Sequence, residues 1–410
     1  RQLHNKINTT VVSMSIICLM LFMTITILSS ALSLNNTMRK DLEDTTPVDL
    51  NLYKTANLPE NEKMSKAQIE DSRKTMIQTL EDNGFDMTKL KDVVEIPVYA
   101  TNELTWRDTL SPVYDEVKQQ FPNLLYETAE EIIKVSDYNK VARLYGNTEY
   151  QLKDDEYIML CDFDNMKNLR NKALKADSTI TIAGKEYKSK YDECQSGYIK
   201  MAGSHVNNGI ILVPDSCNLT EDIKEETFLA ANYNATTEEE KEEIEKIFTG
   251  ETETDFNKNL DEKGITIDGM TKITIIESSL GVSTIVLFIA IYLGIIFLIA
   301  SSAILALKQL TESSDNKQRY AILRKIGADE KMINGALFKQ IGIFFLMPLI
   351  LAIIHSIFGI QFVMTMMSVL ANAKELLPSA IATAVIIGVI YGAYFMATYL
   401  GSKNIIKEEE

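Results

Sequence analysis

Histidine and cysteine are scarce, three and four in 410 residues. No H-E-x-x-H run and no C-x-x-C pair occurs, so the common zinc spacings and a dithiol redox motif are both missing. A ligand set of Cys194, His205 and Cys217 matches no usual pattern, and no metal is expected. No G-x-x-x-x-G-K-[ST] run is present, which excludes ATP hydrolysis by a phosphate loop on this chain. No catalytic constellation stands out, and no cofactor is expected to bind. Basic residues are thinnest where a nucleic-acid surface would need them concentrated. Between Met38 and Ser278 there are 29 Lys and Arg against 49 Asp and Glu, a net of −20, while the flanks carry a net of +4. Nucleic acid is therefore not an expected partner.

Charge is missing altogether from four long apolar runs, at 10–34, 279–307, 340–364 and 379–401. A bilayer core about 30 Å thick takes about 20 helical residues, and each run is long enough. One such run could be a buried core helix; four in one chain predict a membrane protein. The first is too long for a signal peptide and lacks a small-x-small cleavage region. No Asp, Glu, Lys or Arg lies within the runs, which disfavours a proton- or ion-coupled carrier. His355 is the one ionisable group at depth and reads as a neutral imidazole bonded between helices. Cys18, inside the first run, is expected to be inert.

The basic residues set the orientation. The segment 308–339 carries Lys308, Lys317, Arg319, Arg324, Lys325, Lys331 and Lys339, so it is expected in the cytoplasm with residues 1–9 and the tail 402–410. Residues 35–278 and the short loop 365–378 are then outside. The predicted fold class is an α-helical membrane protein with four transmembrane helices plus a large extracellular α/β domain inserted between the first and second.

Within 35–278 the patterning is mixed. Strands are expected at Val48–Tyr53, Val93–Tyr99, Tyr157–Phe163 and Gly209–Pro214, with a hairpin of Thr179–Ile182 and Glu186–Lys190 around Ala183-Gly184-Lys185. Helical spacing covers Ser65–Asn83, and Ser136 is placed to cap a helix through Leu144 that Gly146 ends. Thr237 and Glu240 have capping-box spacing before a Glu-rich helix through Phe248, whose Glu238–Glu245 run reads as a solvated face. The acidic excess would attract cations; it also suits an ordinary solvated outer face. Cys194 and Cys217 fall in this domain, where an oxidising compartment could join them; Cys161 sits in an expected buried strand as a small core residue.

The cytoplasmic segment is the most informative. Over Arg319–Ile326 one helical face offers Ile322, Leu323 and Ile326, while Arg324 and Lys325 point elsewhere. Gly327 suits a left-handed position that ends a short helix, and Asp329 can cap the next one. A short amphipathic helix, a sharp turn and a helix entering the membrane make a knob that another protein can push.

At R-Y-A-I-L-R-K-I-G-A, starting from Arg319, the chain resembles the FtsX-like permease family of ABC transporters, whose loop reads roughly R-x-x-E-I-G-I-L-R-A-I-G-A. The order of elements is similar too: a span, a large outer domain, then three spans with this loop after the second. Tyr320 and Ala321 stand where many members have Glu and Ile. Gln340 stands where lipoprotein and macrolide exporters carry Glu, and the chain looks more like the bacitracin-type, BceB-like permeases of Gram-positive bacteria. Val135–Lys140 is also similar to outer-domain segments of such permeases. In that subgroup these spans are the last four of ten, and the start at Arg1 fits a longer protein.

The resemblance implies a bacterial cell-membrane subunit that couples to a separate cytoplasmic ABC ATPase dimer, with ATP and Mg bound in that partner. The coupling residues it implies are Arg319, Tyr320, Ile322, Leu323, Arg324, Lys325, Ile326, Gly327 and Asp329. The three apolar side chains would dock in the ATPase, and Arg324 and Lys325 would meet acidic residues at its rim. Cationic or cell-wall-directed peptide antibiotics are the implied ligands, and a sensor histidine kinase a further partner. Substrate is not expected to cross the bilayer, because the spans offer no polar path. Control of cell-wall hydrolases or lipoprotein release, as by FtsX- and LolC-type subunits, is the alternative within the family. A membrane receptor that needs no ATPase is the alternative of another class.

Overall fold

The computed structural model describes residues 2–60, 64–367 and 376–407. The chain forms two compact units, Arg1–Arg39 with Gly281–Glu410, and Lys40–Leu280. It begins with α1 (Gln2–Thr45), β1 (Leu50–Thr55), α2 (Lys66–Ser72), α3 (Met76–Asp82), β2 (Leu90–Tyr99), α4 (Trp106–Thr109) and α5 (Tyr114–Gln120). Then come β3 (Glu131–Lys134), α6 (Val135–Tyr145), β4 (Glu156–Leu160), α7 (Asp164–Ala176), β5 (Thr179–Ile182), β6 (Lys185–Ser189) and β7 (Ile210–Val213). The inserted unit ends with β8 (Lys224–Tyr233), α8 (Glu238–Phe248), α9 (Asp255–Lys263) and β9 (Asp268–Thr271). Four more helices follow: α10 (Lys272–Asp315), α11 (Lys317–Lys325), α12 (Glu330–Met367) and α13 (Leu376–Ile406).

The inserted unit is built on a nine-stranded sheet in the order β5-β6-β4-β7-β3-β2-β8-β1-β9. β3 pairs parallel with β7 and β4 with β6; the other ladders are antiparallel. Both faces are covered. On β7, Ile210 and Leu212 enter one core cluster and Ile211 and Val213 another. That two-sided burial is why this strand reads as a continuous apolar run instead of alternating. Leu42 of α1 and Ile275 of α10 lie in the first cluster, so the ends of both long helices are part of the domain's core. They attach to neighbouring strands. α1 leads through four residues into β1, and α10 follows β9 with no residue between. β1 and β9 pair from Leu50↔Thr271 to Tyr53↔Asp268, and Lys272 N donates to Asp49 O at 2.9 Å.

Several expectations are corrected. The helical spacing over 65–83 is two helices, because Ser65 with Gln68 and Thr75 with Gln78 form successive capping boxes. The break lets the buried Lys54 amine of β1 reach Asp71 at 2.9 Å and Thr79. α6 starts at Val135, so Ser136 is inside it and not its cap; Gly146 ends it at φ +73° as expected. In the hairpin, Ala183 and Gly184 both take positive φ, the requirement of a two-residue type I′ turn. The Glu-rich face is not wholly solvated. Glu245 is buried, accepting from Tyr233 Oη at 2.7 Å and from Thr271.

The bond between Cys194 and Cys217 that the sequence allows is not made in this fold. All four cysteines are free thiols. Cys194 lies beside Cys161, and Cys217 beside Tyr187. His205 is occupied by Asp162, so it does not join the two cysteines in a ligand set.

Among the described residues, four helices are long and apolar enough to cross a membrane: Val11–Thr45, Lys272–Asp315, Glu330–Met366 and Leu377–Ile406. Each extends beyond the charge-free run that marks it. Of the loop expected at 365–378, residues 368–375 lie outside the described residues. Ile17, Leu21, Leu298, Ile341, Phe345 and Tyr391 are in the other unit's core, while Phe288, Ile289, Phe358, Phe362 and Val389 face outward. Such an apolar exterior suits lipid. The absence of charge is not an absence of polarity. Ser29, Ser30, Ser33 and Thr37 are buried, and their hydroxyls have no hydrogen-bond partner among the described residues. Asn35 accepts from Ser283 at 2.9 Å.

Candidate coupling site

The segment between α10 and α12 folds as a knob with an inner and an outer face. α10 ends at Asp315, Asn316 interrupts it, and α11 starts at Lys317. The end of α11 is a full Schellman motif. Gly327 N donates to Arg324 O and Ala328 N to Leu323 O, both at 3.0 Å, with Gly327 at φ +93°. An L-residue avoids that conformation, so glycine here is a requirement of the turn. Asp329 directly precedes α12, and its carbonyl accepts from Ile333 N at 3.1 Å.

A Cβ added at Gly327 would meet nothing within 4 Å, so Gly327→Ala tests the backbone alone. Its expected cost is about 1 kcal/mol. Amide exchange at residues 327 and 328 should quicken while the long helices keep their protection. Unchanged exchange would show that the turn tolerates another conformation.

The outer face is apolar and bare. Ile322 is 59% exposed, Leu323 40% and Ile326 74%. Arg319, Lys325 and Asp329 are exposed around them. The inner face is Tyr320 and Arg324, one helical turn apart. Tyr320 and Ala328 pack against the core of the helical unit, and Tyr320 Oη donates to Gln340 Oε1 at 3.3 Å. These are two of the positions at which the chain departs from the loop pattern it resembles, and they are partners.

Arg324 is engaged within the chain, not presented outward as expected. Its Nε donates to Glu330 Oε1 at 2.5 Å and its Nη1 to Ile406 O at 2.7 Å. It therefore ties α11 to the first turn of α12 and the last turn of α13. Sequence reasoning missed Glu330 and Ile406 as its partners. No periodicity links positions 324 and 406, and the acceptor at Ile406 is a backbone carbonyl that carries no residue signature.

Among the described residues, no group of three or more His, Cys, Asp or Glu is placed to hold a metal ion. The arrangement is three bare apolar side chains on a short helix, held at one end by a glycine turn and from behind by an arginine. Unpartnered apolar groups of this size seek a groove.

Comparison with known proteins places this surface in context. Residues 293–409 match the family described as FtsX-like permease C-terminal. Over 77 residues the chain is 44% identical to the bacitracin export permease protein BceB of Bacillus subtilis, which is 18% of this chain and 12% of that protein. It is 32% identical over 123 residues to the protein of the same name from Halalkalibacterium halodurans, covering 30% of this chain and 18% of that one. An uncharacterized ABC transporter permease of Bacillus subtilis, YvcS, matches at 31% over 121 residues, 30% of this chain and 17% of the relative. The matches span less than a fifth of these relatives' own lengths.

Proposed function

We propose that the chain is a membrane protein of the ABC permease kind that transmits ATP-driven movement to its inserted α/β domain; residues 293–409 match the FtsX-like permease C-terminal family, and four helices among the described residues are long and apolar enough to cross a membrane. The observation that carries this reading is the bare apolar face of α11 on a knob tied to α12 and α13. A separate cytoplasmic ATPase dimer, which binds the ATP and Mg, takes Ile322, Leu323 and Ile326 into a groove. Arg319 and Lys325, both exposed, meet its acidic rim, while Arg324 holds the knob in position.

In this reading the basic segment 308–339 is cytoplasmic and the inserted domain is outside. α1 and α10 each run unbroken from the membrane segment into residues of the domain core, which supports mechanical transmission. The relatives' printed names point to bacitracin export, and we assign this chain to resistance against, or sensing of, cell-wall-directed peptides. A sensor kinase is a fitting further partner for the sensing role.

The test is to co-purify the full-length protein with its ATPase and follow ATP turnover against a panel of cell-wall-directed peptides. Stimulation or inhibition by a peptide is the expected result. An intact complex indifferent to every peptide would move the function to hydrolase control or lipoprotein release. Failure to bind any ATPase would overturn the coupling reading.

A further inference from the structure

The α/β domain contains a cleft of about 360 Å³, within the range of small-molecule and peptide side-chain sites. It opens at the starts of β3 and β7, beside Tyr53 of β1 and Trp106 of α4, and its other wall is the segment 198–208.

The walls are fixed from behind by groups that are costly to bury. Arg170 and Glu130 are 1% and 0% exposed and make a two-pronged pair at 2.8 and 3.1 Å. A buried pair recovers its desolvation cost only with good geometry and further hydrogen bonds. Here the further bonds go to the cleft. Arg170 Nε donates to Asn208 O at 2.5 Å, and its guanidinium lies 5.5 Å from the Trp106 ring centre. Gly209, at φ +157°, leaves the room this approach needs, since a Cβ there would strike the guanidinium. Asp162 accepts from Asn207 N at 2.8 Å and hydrogen-bonds His205 Nδ1 at 2.9 Å. Burial works against a charged imidazole, but the Asp162 carboxylate outweighs it, with Asp41 and Asp44 adding to the same sign, so the His205 pKa is raised.

The cleft combines negative charge with an apolar rim. The Lys200 amine lies 3.3 Å from Glu131 and 3.0 Å from Glu226, and 4.9 Å from the Tyr53 ring centre. Lys200 is shared between the two carboxylates, in a domain whose sequence is itself strongly acidic. Glu131 faces the opening and is 38% exposed. Val206 and Met270, both lining the cleft, leave large apolar side chains bare.

We propose that this cleft is a binding site for a peptide that places a cationic side chain against Glu131 and an adjoining apolar side chain on Val206, Met270 and Trp106. A preformed cleft with few polar groups and an apolar surround is the ordinary design of such sites. Charge complementarity favours a basic peptide over an acidic one and speeds its arrival. The proposal deepens the function above and rests on it in placing the peptide on the outer side.

The sequence has one tryptophan, Trp106, and it lines the cleft, so its fluorescence reports occupancy directly. The full chain in nanodiscs, without any ATPase, is titrated with the acetylated, amidated tetrapeptide Lys-Leu-Lys-Leu and with Glu-Leu-Glu-Leu. A saturable change in Trp106 emission is expected with the first and none with the second. Glu131→Gln should weaken binding about tenfold or more, the usual scale for a lost charge-assisted hydrogen bond. Val206→Asn, at an exposed loop position, removes the apolar rim without adding charge and should weaken binding severalfold. No saturable response to the basic peptide, or an affinity unchanged in both variants, would overturn the proposal. Because no ATPase is present, that failure leaves docking at α11 standing, and loss of docking leaves the cleft standing.

Discussion

The double variant Ile322→Asp with Ile326→Asp will fold and insert normally but lose its ATPase. Both side chains are bare, so neither removes a contact that the fold uses. Burying an isoleucine side chain contributes about 1.5–3 kcal/mol. Replacing two by aspartate forfeits that and also forces carboxylates into an apolar groove. Affinity should therefore fall by more than about a thousandfold, each 1.4 kcal/mol being tenfold. Co-purification reads the outcome, and Lys325→Asp on the rim is the comparison, with a smaller, salt-dependent loss. An intact complex carrying both aspartates would place the docking surface elsewhere.

The second large effect is in the inserted domain. Arg170→Met leaves Glu130 buried with no cation, and breaking one side of such a pair costs about 3–5 kcal/mol. For a domain of this size about 2–4 °C accompanies each kcal/mol, so the thermal midpoint should drop by roughly 10 °C. Trp106 lies over the guanidinium and follows the transition by its emission. Arg170→Met combined with Glu130→Leu should regain much of the loss, since two apolar residues leave no charge unpaired. A single variant as stable as the parent would mean that Glu130 takes up a proton or finds water, and that the pair is not what fixes the cleft wall.

What could be read in advance follows the range of the interactions. Features set by a few neighbouring residues were legible. The four long helices announce themselves by uncharged length, Gly327 by its place after an amphipathic turn, and Ala183-Gly184 by a two-residue reversal between short strands. The break between α2 and α3 was legible and overlooked, because Thr75-x-x-Gln78 repeats the capping pattern of Ser65-x-x-Gln68. The cleft was not legible. Its walls come from segments scattered between residues 45 and 270, and the arginine that backs them sits on α7, a helix rich in charged residues. Glu130 lies 40 positions away, just before β3, and no local pattern distinguishes it from the solvated Glu127. The loop motif names Tyr320 without an orientation, and its ring packs inward toward Gln340.

The attachment of α1 and α10 to adjacent strands constrains the stroke of any machine built on them. β1 and β9 are antiparallel neighbours joined over Leu50–Tyr53 and Asp268–Thr271, and α10 begins at the residue after β9. Sliding one strand past the other by a single residue, about 3.4 Å, would turn every side chain to the wrong face and break the ladder. The two helix ends are thus geared together like racks on one pinion. On the coupling we propose, work delivered to one helix end is shared by the other before it reaches the rest of the sheet.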